Sequence, residues 1–249
     1  MSRTRVQLEP AYVLHHRPYR DTSRIVDFLT RDHGRITLFA RAVRGAKSRY
    51  GAMLQPFAPL LVSWSGSGDG GALTSVEPAP GAELKAPPPA RLMSGFYLNE
   101  LCVRLLAREV PQPELFVSYA QALAGLVSGE SEAAVLRIFE KRLLEALGMG
   151  VDYAHQVSGA VVEADAYYHV PAGRGVLAQV RGPGPDRYRG RHLLALAGEA
   201  LEDAQALVAA RRLLREALAH ALEGRELASR GVARAVRARQ ARTPSKEQP

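Results

Sequence analysis

Four cations fall within nine residues at Arg41, Arg44, Lys47 and Arg49, in the stretch RAVRGAKSRY, with no acid among them. Tyr50 closes the stretch, and the apolar run GAMLQPFAPLLVSW follows. Upstream, Arg17, Tyr19, Arg20 and Arg24 surround the segment PYRDTS. Arg35, Phe39 and Arg41 alternate with apolar residues in RITLFARAV. Cations at such spacings can neutralise successive phosphates, and aromatic rings among them offer faces on which bases stack. A surface for single-stranded nucleic acid requires both. A basic edge kept only for solubility would account for the charge but not for the rings.

Other chemistry finds less support. GSGDGG matches G-x-G-x-x-G at Gly66, Gly68 and Gly71, but ALTSVEPAP follows, which is strand-like where a dinucleotide site needs a helix. It is expected to be a hairpin loop. His15 and His16 are adjacent in a predicted strand and point to opposite faces, and His155, His169 and His192 are widely spaced with no cysteine nearby. No metal site and no cofactor are expected. There is no G-x-S-x-G and no pairing partner for the single cysteine, Cys102, so no catalytic centre is expected.

The net charge of +8 is unevenly placed. Residues 1–50 hold 11 Lys/Arg against 4 Asp/Glu, and residues 225–249 hold 7 against 2. The stretch between them holds 15 against 19. Basic ends around a slightly acidic middle suggest dedicated polyanion-binding surfaces. A compositional reading stands beside this one, since Arg and Ala are abundant throughout. No apolar run reaches the length needed to span a bilayer, the first ten residues lack a signal-peptide core, and the lone cysteine allows no internal disulfide. A cytoplasmic protein is expected.

The elements that must position these residues fall into two halves. AYVLHHR, RIVDFLT, RITLFARAV, PFAPLLVSW and GALTSVEP read as five short strands, with turns at PYRDTS, led by Pro18, and at RDHG. In the third strand Ile36, Leu38, Ala40 and Ala42 share one face, and Arg35, Thr37, Phe39 and Arg41 the other. Five strands with a basic, aromatic face suit a small OB-type barrel over residues 1–80. A proline-rich linker, 81–90, precedes a helical domain, 91–229. Leu98, Leu101 and Leu105 mark one helix, and Leu115, Phe116, Tyr119, Leu123 and Leu126 a second. A third has Ser131 as cap, Leu136, Phe139, Leu143 and Leu147 on one face, and Gly148 as stop. Residues 151–189 read as an irregular region with one hairpin around YYHVPAGRGVLA, and GPGPDRYRG as a loop. Helix resumes over 191–222, and 230–249 reads as a basic disordered tail. The fold class is therefore α+β.

The order of these pieces resembles the RecO family of bacterial recombination mediators. The carriers are the Y-x-L-x-x-R-x-Y-x-D-x-S run from Tyr12 to Ser23, Gly34, the basic run ending at Ser48, and LQPF at Leu54–Phe57. SGFYLNELCVRLL, ELF at Glu114–Phe116, LRIFEKRLLEALGMG and GRELASR continue it over about residues 8–232. The resemblance implies an N-terminal OB fold, a helical bundle and a small third region. It also implies binding of single- and double-stranded DNA, annealing of complementary strands, and action with RecR and the single-strand-binding protein SSB to help load RecA, without enzymatic catalysis. Many members carry a four-cysteine zinc site in the third region. GVDYAHQVSGA has no cysteine there, so zinc is expected to be absent.

The DNA-contacting set expected from this reading is Arg17, Arg20, Arg24, Arg35, Phe39, Arg41, Arg44, Lys47, Arg49 and Tyr50. An acidic, Phe-terminated SSB tail would need an apolar pocket beside a cation. Phe139 and Leu143, with Arg137, Lys141 and Arg142, are the candidates. The same five residues fit a core helix with a solvated basic edge equally well.

Overall fold

The computed structural model describes residues 5–43, 50–66, 70–81, 86–229 and 231–232. Its first half is built from β1 (Arg5–Tyr19), β2 (Ser23–Thr30), β3 (Gly34–Ala40), β4 (Pro59–Ser65) and β5 (Gly71–Pro78). They close into a barrel in the order β1-β2-β3-β5-β4, all neighbours antiparallel except β3 with β5. This is the expected five-stranded OB arrangement. β3 shows why it forms: Ile36, Leu38 and Ala40 point inward with Val13, Val26, Phe28 and Val62 and fill the barrel.

Two local expectations are corrected. Pro18 does not lead the first turn; it pairs with Arg24 at the end of a long β1, and the turn is Arg20–Thr22. Ala42 is exposed at φ 51°, because β3 stops at Ala40, and Val43 turns back to be buried against the barrel core. The glycine-rich loop joins the antiparallel strands β4 and β5, and no helix follows it.

The second half packs α1 (Leu92–Leu105), α2 (Pro113–Ser128), α3 (Glu132–Ala146), α4 (Gly190–Ala197) and α5 (Ala204–Ala221) around one core. Pro113 opens α2, where its missing N–H is harmless. The Ser131 hydroxyl accepts from the Ala134 amide, and Asp203 caps α5 through the Ala206 amide at 2.8 Å. Gly148, at φ 71°, ends α3. Between α3 and α4 lies a three-stranded sheet ordered β7-β6-β8, made of β6 (Tyr167–His169), β7 (Gln179–Val180) and β8 (Arg187–Arg189). β6 and β7 are the expected hairpin. β8 corrects the reading of GPGPDRYRG as loop throughout, since its Arg-Tyr-Arg pairs with β6.

The barrel is joined to the helices by its own outer face. Tyr12, Leu14, Leu29 and Phe57 leave the barrel interior and enter the helical core. Tyr12 meets Phe116 and Tyr119 with ring centroids 5.3 and 5.1 Å apart. A bulge between Val13 and His15 frees the Leu14 carbonyl, and buried Asn99 of α1 donates to it at 2.8 Å. Tyr119 in turn donates its hydroxyl to the Asn99 side chain. Gly95 leaves room for the Phe57 ring, which would lie 2.8 Å from an added methyl.

Candidate nucleic-acid interface

Strand pairing divides the outer face of β1, β2 and β3 into two zones. Near the helices it is apolar and covered. Towards the β1–β2 turn it is open, basic and aromatic. Arg17 pairs with Ile25, Ile25 with Phe39, and Phe39 with Ala72, so these four form one row across the sheet. Tyr19 stands edge-on to Phe39, with centroids 5.3 Å apart. Arg20 lies over the Tyr19 ring at 5.3 Å. Arg17, Arg20 and Arg41 are exposed. The next row holds the face's one pairing-strand carboxylate, Asp27, which accepts from Thr37 Oγ1 at 2.6 Å and lies 3.8 Å from His15. The result is a partly covered pair of rings bordered by arginines, which suits stacked bases and their phosphates.

The other expected residues fall elsewhere. Arg35 is on the same strand face as Phe39 but in the covered zone. Its Nε donates to the Leu106 carbonyl at 3.0 Å, and its own carbonyl accepts from the Glu109 amide. It joins the domains and is not part of the open patch. Arg24 has the inward parity of Val26. One of its terminal nitrogens is buried with no hydrogen-bond partner. Burial, Arg24 and His15 together hold the His16 imidazole below its ordinary pKa, so it is neutral at pH 7. Tyr50 is half-buried against the barrel core, and its carbonyl accepts from Met53 and Leu54. Arg44, Lys47 and Arg49 lie outside the described residues, as do Arg230 and 233–249 of the basic tail. Ile25 was missed because only the register puts it between Arg17 and Phe39.

α3 corrects the expected peptide pocket. Phe139 is 1% exposed and Leu143 is fully buried, so both belong to the core. The reason is the helical period: Val135, Phe139 and Leu143 are the face turned to α2 and α5. Arg137 is nearly buried and donates from Nη2 to Glu140 at 2.5 Å, and Glu140, 1% exposed, also accepts from the Tyr97 hydroxyl at 2.6 Å. Lys141 and Arg142 both bind Glu199, at 3.1 and 2.6 Å. Burial alone would raise the Glu199 pKa, but these hydrogen bonds outweigh it and hold the carboxylate below its usual range. Cys102 is fully buried, which pushes its thiol up to about 12 and leaves it unreactive.

In the third region residues 154–162 form a tight hairpin. The Gln156 amide donates to the Ala160 carbonyl across it, and Asp152 binds His155 Nδ1 at 2.9 Å. Among the described residues no cluster of three or more His, Cys, Asp or Glu is placed to hold a metal ion. Among them, too, no helix is long and apolar enough to cross a membrane.

A closed five-stranded barrel with a basic, aromatic patch, docked on a helical domain, defines an OB-fold protein of two halves. Comparison with known proteins gives the same division. Residues 1–81 match the family Recombination protein O N terminal, and residues 88–231 match Recombination protein O C terminal. The chain is 44% identical over 247 residues to the DNA repair protein RecO of Alkalilimnicola ehrlichii, covering 98% of this chain and 96% of that protein. It is 41% identical to the DNA repair protein RecO of Methylococcus capsulatus, over 91% and 93% of the two chains. The corresponding protein of Coxiella burnetii is 42% identical, over 91% and 97%. The chain belongs to the RecO family, whose work is DNA repair and recombination.

Proposed function

We propose that this protein is a recombination mediator that binds single- and double-stranded DNA and anneals complementary strands. It acts with RecR and with SSB-coated DNA to help load RecA, in the cytoplasm at the nucleoid, and catalyses no covalent step. The observation that carries the reading is the open patch of Arg17, Tyr19, Arg20, Phe39 and Arg41 on the barrel. Two strands repel as polyanions, and a cationic surface lowers that repulsion as they meet. Rings that hold bases unstacked from their own strand leave the pairing edges free. Contact with the acidic SSB tail remains part of the proposal. Because Phe139 and Leu143 are buried in the helical core, the proposal does not rest on them as a tail pocket.

The test is annealing of two complementary labelled oligonucleotides, bare and SSB-coated, with no nucleotide present. The protein is expected to accelerate pairing in both cases. Binding without any acceleration would reduce it to an OB-fold nucleic-acid-binding scaffold.

A further inference from the structure

The helical half carries a groove of about 450 Å³ that the barrel patch does not use. One wall is the small sheet, with Tyr167, Arg187, Tyr188 and Arg189; the other is α5, with Val208 and Arg212. Two features point to a ligand. The Tyr188 hydroxyl is buried, in a residue only 3% exposed, and has no hydrogen-bond partner. The Arg189 Nε, on the next residue, is also buried and without a partner. Both groups are donors, and buried donors in folded proteins are almost always satisfied. Burial pushes the Tyr188 hydroxyl up to about 12, so it keeps its proton at neutral pH. Neither donor has an acceptor within hydrogen-bond reach.

We propose that this groove is a second binding site for a nucleic-acid strand, with a backbone phosphate accepting from Tyr188 and Arg189. The inference rests on the reading that this protein binds and pairs DNA strands, and it supplies the place for the second strand. Arg187 and Arg189 lie two residues apart on the edge strand β8, so cations repeat along the groove as phosphates repeat along a backbone. Arg187 donates to the Arg181 carbonyl and not to an acid. Arg212 lies over the Tyr188 ring at 5.4 Å, and Arg215 follows it on the same face of α5. Carboxylates do border the site: Asp165 pairs with Arg189 and Arg191, and Asp186 and Glu216 lie 3.5 and 3.6 Å from Arg212. These pairs are exposed, where such pairs are weak, so a phosphate can displace them. An acidic peptide would use the same arginines. The half-buried Tyr167 ring in the wall favours a base, which stacks where a carboxylate side chain does not.

The test titrates full-length protein at low salt with a short fluorescent oligothymidylate. Wild type is expected to bind about two per protein, one on each surface. Tyr188→Phe removes only a hydroxyl that has no partner, so its melting temperature should match wild type while the groove's affinity falls about tenfold. Arg187→Ala with Arg212→Ala should abolish the groove's share and lower the log–log salt slope by about 1.4. If wild type binds but both variants keep its stoichiometry and slope, the groove is not a strand site. A glutamate-rich peptide whose binding is lost in Tyr188→Phe, with oligonucleotide binding unchanged, would also overturn the proposal. If wild type binds no oligonucleotide, the DNA-binding reading itself fails.

Discussion

Glu140→Ala is expected to destabilise the protein by about 3–5 kcal/mol, the loss typical of stranding a buried charge. Glu140 lies inside the helical core, 1% exposed, and holds both Arg137 and the Tyr97 hydroxyl. Without it the Arg137 guanidinium loses its carboxylate, and its Nε already has no partner. In a chain of this size that loss corresponds to a melting temperature roughly 6–20 °C lower. Replacing the pair together, Arg137→Met with Glu140→Leu, should recover most of the loss, because well-packed apolar residues often equal or exceed a buried ion pair. Thermal unfolding of wild type and these two variants checks this. A Glu140→Ala melting point within about 2 °C of wild type would show that the pair is not buried as described. The result also bears on partner binding: an Arg137→Glu variant that fails to bind a peptide would report misfolding before it reported a lost contact.

Gly34→Ala should be nearly as damaging, for a different reason. Gly34 is at φ 67°, a conformation that costs an L side chain about 1–2 kcal/mol. An added Cβ would also lie 2.0 Å from the Val110 carbonyl oxygen, in the segment joining α1 and α2. Backbone cannot turn aside as a flexible side chain can, so the barrel and the helical domain must separate locally. The neighbouring contacts, from Glu109 to the Arg35 carbonyl and from Arg35 to Leu106, would weaken with them. A total cost of about 2–4 kcal/mol is expected, read as a lower urea midpoint. An unchanged midpoint would mean that the two halves meet less closely at this turn.

These two residues show what the sequence made legible and what it did not. Alternation in β3 and the 3.6-residue period of α3 revealed the barrel and the bundle, because burial there follows a fixed geometric repeat. Gly34 was readable as a turn glycine, but its contact with Val110 joins residues far apart in the chain and leaves no local pattern. The same limit divides the arginines. Arg35 and Arg41 follow one alternation, yet one binds Leu106 and the other is exposed. Which end of a strand face meets another domain depends on docking, and periodicity carries no record of it. Phe139 and Leu143 had the composition of a pocket, and their spacing was that of a core. Tyr188 and Arg189 were hidden in a proline- and glycine-rich segment, where a three-residue strand leaves too short a repeat to recognise.

The central claim is that the open end of the barrel's outer face holds single-stranded DNA through Arg17, Arg20 and Arg41. The most direct measurement is the salt dependence of oligonucleotide affinity for wild type and for the triple alanine variant at those positions. The slope of log affinity against log salt should become shallower by about 2, at roughly 0.7 per phosphate contact, with the melting temperature unchanged. A folded triple variant with the wild-type slope and affinity would contradict the claim and place the DNA elsewhere on the molecule.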